Sequence, residues 1–552
     1  MSAVLTAQEP SAKYLVNLQP PLVRHFDLIA QAPGGVARLR ELILTLAVQG
    51  KLVPQDPRDE PASELLKKIR AEKDRLIAEG KIKRDKALAE IDDEEKPFEL
   101  PHGWQWVRLG SVFKLEYGSA MPEKSRLHGD IPVYGSNGIV GFHNESLIQS
   151  PSLIVGRKGS VGAVNMSLSA FWPIDTSYFV TPPSGIDLRF SYFLFVSLKL
   201  GKHDKATAIP GINRNDVYKE VVALPPESEQ SRIVTRVEEL MQLCDALEAQ
   251  GQLEAEQHAR LVSTLFSSLL QSDTPEALVN NWQRIATHFD VLLDRPEAVD
   301  ALEQTILQLA VRGLLVPQDP TDEPANVLLQ KIRTEKDHLI AQGKIKRDKP
   351  LPPITDKEKP FELPQGWEWV RLGSLGVTQT GGTPASSKPE YFDGNFPFIG
   401  PGQITPNGQI LSAEKFISEL GTLESAVVEP GDILMVCIGG SIGKCAAATF
   451  PTAFNQQINS IHPLLLSSEY VLNAMSSIDF TQAVLSAATG SATPIISKGK
   501  WDLLLLPLPP RVEQSRIVTR VNELRSLCDD LRQRLEAAQA MQSHLADALV
   551  TG

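Results

Sequence analysis

Three stretches of this 552-residue chain carry residue types that could do chemistry. IGGSIGKC, Ile438 to Cys445, has the glycines and lysine of a phosphate-wrapping loop. Such a loop needs a Gly five residues before its Gly-Lys-Ser/Thr, whereas Ile438 stands there and Cys445 follows Lys444. A strand-turn-strand with Gly in the turn is the better reading. DDEEK, Asp92 to Lys96, offers the Glu94-x-Lys96 pair of a metal-dependent nuclease, but the corresponding TDKEK further along has Lys357 in place of that Glu. Leu224-Pro225-Pro226-Glu227 and Leu508-Pro509-Pro510-Arg511 share the prolines of a methyl-transfer tetrad without its amide or its stacking ring. Neither a Gly-rich cofactor loop, a Gly-x-Ser-x-Gly elbow nor a His-rich metal spacing is found. The expectation is a chain that is not an enzyme and holds no metal or cofactor.

The bulk properties narrow the class. Cys244, Cys437, Cys445 and Cys528 form no CxxC pair, zinc spacing or disulfide framework, so buried reduced thiols and an intracellular setting are expected. The N-terminus lacks a basic start followed by an apolar run, and no stretch approaches the roughly 18 apolar residues that span a bilayer. A soluble, cytoplasmic protein with no membrane partner is expected. The formal charge of -12 counts against a simple basic nucleic-acid binder without excluding one.

Organisation is dominated by a duplication. GKLVPQDP at Gly50 recurs as GLLVPQDP at Gly313, and from Lys51 to Ser111 46 of 61 positions are identical to those 263 residues later. Leu15-Val16-Asn17 and His25-Phe26-Asp27 also match Leu278-Val279-Asn280 and His288-Phe289-Asp290. Chance and shared helix propensity cannot produce this. Beyond Ser111 and Ser374 similarity stops, then returns as LPPESEQSRIVTRV from Leu224 and LPPRVEQSRIVTRV from Leu508. Each half is thus a near-identical frame around a divergent insert.

The frame reads as helix. Ile233, Val237, Leu240, Cys244 and Leu247 step by 4, 3, 4, 3, as do Ile517, Val521, Leu524, Cys528 and Leu531, a heptad seam suited to pairing with another helix or to lying on a globular core. Asp59-Glu60-Pro61-Ala62 and Asp322-Glu323-Pro324-Ala325 read as helix starts; Gly80 and Gly343, each followed by KIKRDK, read as stops. The inserts instead show short β-rich runs punctuated by Gly, Asn and Pro, with a helix over LRFSYFLFVSLKLG and another over SEYVLNAMSSIDFTQAVLSAA.

These framed inserts, entered by PFELPxGWxWVRLG and left by LPPxxEQSRIVTRV, resemble the specificity subunit of a type I restriction-modification enzyme over essentially the whole chain. Within them, PVYGSNGIVGFHN, IVGRKGSVGAV, WPIDTSYFV and AIPGINRNDV resemble one class of target recognition domain. GDILMVCIGGSIGKC, FNQQINSI and GSATPIISKG resemble another. The resemblance implies a mixed α/β (α+β) fold in which two globular target recognition domains are joined by long antiparallel helices in a pseudo-two-fold, circular arrangement. It implies a helical repeat at 1–103, a first recognition domain at 104–226, a central helical region at 227–366, a second recognition domain at 367–510 and a C-terminal helix at 511–552. Each domain would read one half of a split, asymmetric site in double-stranded DNA, while the repeats set the spacing and dock two methyltransferase subunits. Restriction/translocase subunits would join, and S-adenosylmethionine, ATP and magnesium would belong to those partners.

Candidate DNA-reading residues are Ser136, Asn137, Arg157, Lys158, Asn213 and Arg214 in the first insert, since Arg pairs bidentately with guanine and Asn with adenine. In the second they are Thr380, Thr383, Lys444, Asn455, Gln456 and Gln457. Each has the alternative of capping a turn and touching only backbone. The first insert carries a net +3 between Val107 and Pro226 and the second a net -4 between Val370 and Pro510, so base-edge hydrogen bonds matter more than bulk charge in the second. Trp104, Trp106, Trp367 and Trp369 are expected to be packing anchors. A competing reading is a non-catalytic helical scaffold whose inserts bind proteins.

Overall fold

The computed structural model describes residues 29–82, 88–203, 211–272, 274–490 and 492–551. The Leu15 and His25 matches, most of the first KIKRDK, Ala208 to Pro210 of AIPGINRNDV and Ser491 of GSATPIISKG lie outside the described residues. The chain divides into two compact units, residues 1–254 with 539–552, and residues 255–538.

In the first unit α1 (Gly35–Val48) and α2 (Ala62–Ala78) form the helical frame. The frame stops its helices with glycine, as the sequence suggests. Gly50 and Gly80 adopt left-handed φ near +70°, and the amides of Lys51 and Lys81 bond back to the carbonyls of Leu46 and Leu76. A side chain at Gly50 would also collide with Trp104, whose ring packs there. Pro61 sits at the N-cap of α2, one position earlier than a first-turn proline.

The first insert leaves the frame through strand Gln105–Arg108 and returns through Val221–Leu224, its antiparallel partner. Between them lies a four-stranded sheet, in spatial order Glu116–Tyr117, Ser177–Val180, Ser152–Gly156, Val164–Ser167. A smaller sheet pairs the hairpin Ile131–Gly135/Gly138–His143 with Trp172–Pro173, the latter in parallel. Ser152–Gly156 is buried on both faces, which explains its unbroken apolar run. Leu153 and Val155 join the core that contains α1, while Ile154 meets Tyr134, Phe171 and Phe179 beneath the small sheet. Asp187 caps α3 (Leu188–Ser197), the expected helix, which buries Phe190, Leu194 and Phe195.

Next comes α4 (Glu227–Leu270), 44 residues and roughly 66 Å long at 1.5 Å per residue. Its seam residues Ile233, Val237, Leu240 and Cys244 are buried in the same core as α1 and α3. Residues 248–257 are exposed on every face.

The second unit repeats the plan. The end of α4 joins α5 (Pro275–Thr287), α6 (Pro296–Val311) and α7 (Ala325–Ala341), the last two matching α1 and α2. The second insert opens and closes through Glu368–Arg371 paired with Leu505–Leu508. Its larger sheet runs Gly376–Thr380, Ile458–Pro463, Ile433–Val436, Cys445–Ala447, the same order and the same antiparallel pairings as in the first insert. Its smaller sheet likewise has one parallel pair, Phe396–Ile399 with Thr452–Phe454. The inserts therefore share a topology that their sequences conceal. The helix expected over SEYVLNAMSSIDFTQAVLSAA is two, α8 (Ser468–Met475) and α9 (Ile478–Ala487); Ser477 ends one and caps the next by accepting from the Phe480 amide. Finally α10 (Arg511–Thr551) begins in this unit, and its residues from 539 onward belong to the first. There Ala546 is buried and Arg38 bonds Ser543 at 2.6 Å and pairs with Asp547.

One hydrogen-bonded knot appears in both units. Glu229, 1% exposed, accepts from Trp104 Nε1 at 3.0 Å and from Gln55 Nε2 at 3.2 Å; Glu513 accepts from Trp367 at 3.0 Å and Gln318 at 3.3 Å. The neighbouring Gln230 accepts from the Asp187 amide, and Gln514 from Ser467, which ties each insert's helix to the same place. Arg232 pairs with Asp59 and Arg516 with Asp322, both at 2.5 Å. Burial pushes the carboxyls of Glu229 and Glu513 up, against the donors that pull them down. Replacing Trp104 by Phe leaves one buried Glu229 oxygen without its donor and should destabilise the first unit by about 1–3 kcal/mol. Trp367→Phe should cost the second unit a similar amount. Chemical denaturation of each variant measures this, and unchanged midpoints would remove the knot from its structural role.

Candidate nucleic-acid interface

The six residues singled out in the first insert gather on loops at one end of its larger sheet. Ser136 and Asn137 form the two-residue tip of the small-sheet hairpin. The tip lies against the next loop: a side chain added at Gly159 would fall 3.6 Å from Ser136 Oγ. Arg157 and Lys158 both donate their amides to the Thr176 carbonyl, and the Arg157 carbonyl accepts from Ile212. Asn213 and Arg214 follow directly. Asn213 caps the short helix Arg214–Val217 by accepting from the Asn215 amide, so its side chain is engaged with backbone.

Two tyrosines missed in the sequence complete the cluster. Tyr117 and Tyr178 are cross-strand partners with ring centroids 5.1 Å apart. The Arg157 guanidinium lies 5.1 Å from the Tyr117 centroid and 5.9 Å from that of Tyr178, and Arg214 lies 5.0 Å from Tyr117. Tyr117 is 49% exposed, whereas Tyr178 is buried and donates to the Ile212 carbonyl at 3.2 Å. Burial is the main reason its hydroxyl is pushed up to about 12. Among the described residues no carboxylate stands within ion-pair distance of Arg157, Lys158 or Arg214. The two guanidiniums rest on rings, and their charge is not cancelled.

In the second insert the equivalent loops carry other groups. Gly118 and Gly381 correspond, each donating to the strand beside it (Ser177 and Ile458) and each leaving no room for a side chain. Tyr117 and Tyr178 are thereby matched by Thr380 and Asn459, which hydrogen bond at 2.8 Å. The Ile496 amide bonds Cys437 as Ile212 bonds Arg157, so Cys437 takes the arginine's place. Ser497, capping the short helix that starts at Lys498, takes that of Asn213. Lys498, at the place of Arg214, pairs with Asp502 at 2.8 Å.

Of the residues singled out here, Thr383 donates to Gln456, and Asn455 bonds both the side chain and the amide of Gln457, each at 3.0 Å. Lys444 closes the loop from Cys437 and makes no ion pair among the described residues. IGGSIGKC is the turn between two strands, with Gly439 and Gly443 at positive φ. The Glu94-x-Lys96 pair lies on an exposed capped turn whose Glu95 grips Arg108 at 2.6 and 2.7 Å, a frame contact repeated by Glu358 and Arg371. Trp106 and Trp369 pack on Phe98 and Phe361. No cluster that could hold a metal occurs among the described residues, and none of their helices is long and apolar enough to cross a membrane.

Comparison with known proteins accords with this layout. The model of the type I restriction modification DNA specificity domain matches residues 101–257 and 364–538, the two inserts with the helices that follow them. The chain is 37% identical to the EcoAI specificity subunit of Escherichia coli and 35% identical to the EcoEI specificity subunit, in each case over 93% of both chains. A chain in a solved type I R-M system aligns at 19% identity with a TM-score of 0.47, covering 82% of this chain and 98% of that one.

The glycine at the root of each of these loops should be intolerant. A Cβ at Gly118 would lie 2.2 Å from the Ile174 carbonyl oxygen, and one at Gly381 2.1 Å from that of Asn455. Gly118→Ala and Gly381→Ala should each destabilise their own insert by about 1–3 kcal/mol, seen as faster amide exchange in that insert alone. Unchanged exchange in both would show that the loops carry no such constraint.

Proposed function

The chain belongs to the family of type I restriction-modification DNA specificity subunits, and we propose that each insert reads one half of a bipartite, asymmetric site. In that role it recognises a DNA target, performs no chemistry itself and assembles with the other subunits of the system. The observation that carries the bipartite reading is the pairing of one topology with two chemistries. Both inserts hang their loops on the same strands, yet Tyr117, Tyr178 and Arg157 in one stand where Thr380, Asn459 and Cys437 stand in the other. A site read by two such faces has no reason to be palindromic.

The repeated frame supports a second part of the proposal, that two methyltransferase subunits dock in equivalent ways. Beside the first copy of VPQDP lies a groove of about 690 Å³ lined by Lys51, Val53, Arg232, Thr235, Arg236 and Glu239. The second copy places Val316, Arg516, Thr519, Arg520 and Glu523 at the matching sequence positions. Arg232 and Arg516 are kept for their ion pairs with Asp59 and Asp322, and Leu314 replaces Lys51, but identity at the partly exposed Thr235, Arg236 and Glu239 is more than the fold requires, and a partner bound twice supplies the reason. Restriction/translocase subunits complete the assembly. S-adenosylmethionine, ATP and magnesium act on those partners, in the cytoplasm, where the DNA is.

Replacing residues 112–223 with the insert of another specificity subunit should change the methylated sequence in one half-site and leave the other intact; a change in both halves, or in neither, refutes the assignment. The helical segments set the spacer between the half-sites. Removing one heptad each from α4 and α10 should alter that spacer by roughly three base pairs, at 1.5 Å per residue against 3.4 Å per base step. A spacer unaltered in the methylated genome would refute the ruler.

A further inference from the structure

Resting on the reading of the first insert as a DNA reader, we propose that Arg157 reads a guanine in its half-site, with Tyr117 and Tyr178 as the positioning residues that aim it. The argument begins with what holds the guanidinium. An arginine paired with a carboxylate presents few free N–H groups, but Arg157 has no such partner among the described residues. It rests instead against two rings, at 5.1 and 5.9 Å, which restrict the plane while leaving its edge free. Its backbone is fixed on both sides, by the bond from its amide to Thr176 and by the bond it accepts from Ile212. A free, planar and pre-aimed fork is the group that matches the O6 and N7 acceptors of guanine in the major groove.

Arg214 stacks on the same Tyr117 at 5.0 Å, which places a second positive charge beside the first. Their mutual repulsion disfavours the cluster in the free protein, and an acceptor-rich edge relieves it. The second insert is the internal contrast. With Cys437 where Arg157 stands, and the hydrogen-bonded Thr380 and Asn459 where the tyrosines stand, no arginine reads the corresponding base there.

The competing role for such a fork is a phosphate clamp, and base and phosphate contacts leave different signatures. The experiment uses the complete methyltransferase complex and duplexes built on the site that the unaltered complex methylates. Replacing one first-half guanine with 7-deazaguanine, which removes N7, should lower methylation roughly 5- to 150-fold. Arg157→Ala should lose that sensitivity at the same position only, with selectivity in the second half unchanged. Arg157→Lys keeps the charge without the fork, so it should retain affinity for non-specific DNA yet lose the guanine preference. Tyr117→Leu should weaken the preference at that same base.

Uniform weakening on every duplex, with a salt dependence shallower by about one unit and the guanine preference intact, would assign Arg157 to phosphate and overturn the proposal. A preference retained by Arg157→Lys would overturn it as well. If the unaltered complex shows no sequence preference at all, the reading of the first insert fails before this question arises.

Discussion

A buried carboxylate holds each half of this molecule together. Glu229 and Glu513 sit almost out of water at the start of the long helices, and burial above all opposes their charge. They are tolerable only because an indole just before the insert's entry strand and an amide from the VPQDP loop donate to them. Loop, entry strand and helix must therefore arrive together, and the adjoining glutamine adds the insert's own helix to the same knot. Removing any one partner leaves a buried polar group unsatisfied, which is why these residues recur unchanged in both copies.

Away from the knot the constraint relaxes. The larger sheet needs only apolar side chains on its two buried faces, and many sequences supply those. The two inserts meet the requirement with different residues: Leu153 and Ile154 in one, Ile433 and Leu434 in the other. At the loop end of the sheet Tyr117, Lys158 and Thr380 reach solvent, while Tyr178 and Cys437 still belong to the core beneath. Tyr, Arg and Lys accumulate in one insert, Thr, Asn and Gln in the other.

This division explains what could be read from the chain alone. The duplicated frame was legible because its residues are bound one to one, Gln55 to Glu229 and Asp59 to Arg232, so each copy keeps them. The shared topology of the inserts was not, because backbone pairing leaves little trace in side chains. What trace remains is small: Gly118 and Gly381, and GSVG beside GSIG at the turn of the central hairpin. The break between α8 and α9 was hidden for a local reason, since Ser477 serves as a cap only once α8 has ended. In the first insert the singled-out residues do come together, yet nothing in the spacing of Tyr117 and Tyr178 marks them as the rings on which Arg157 and Arg214 rest. In the second, Asn455 is engaged with Gln457 and Thr383 with Gln456.

The paired strands at the base of each insert bear on exchange. Gln105–Arg108 with Val221–Leu224, and Glu368–Arg371 with Leu505–Leu508, bring both ends of an insert out side by side in fixed register. Beyond that register the insert still packs on the frame, through Leu153, Val155 and Phe190 in the shared core and through the Asp187–Gln230 bond, so a replacement must supply equivalents of both. Exchange of the segment between Arg108 and Val221 leaves both ends where they are and asks the newcomer only for those contacts.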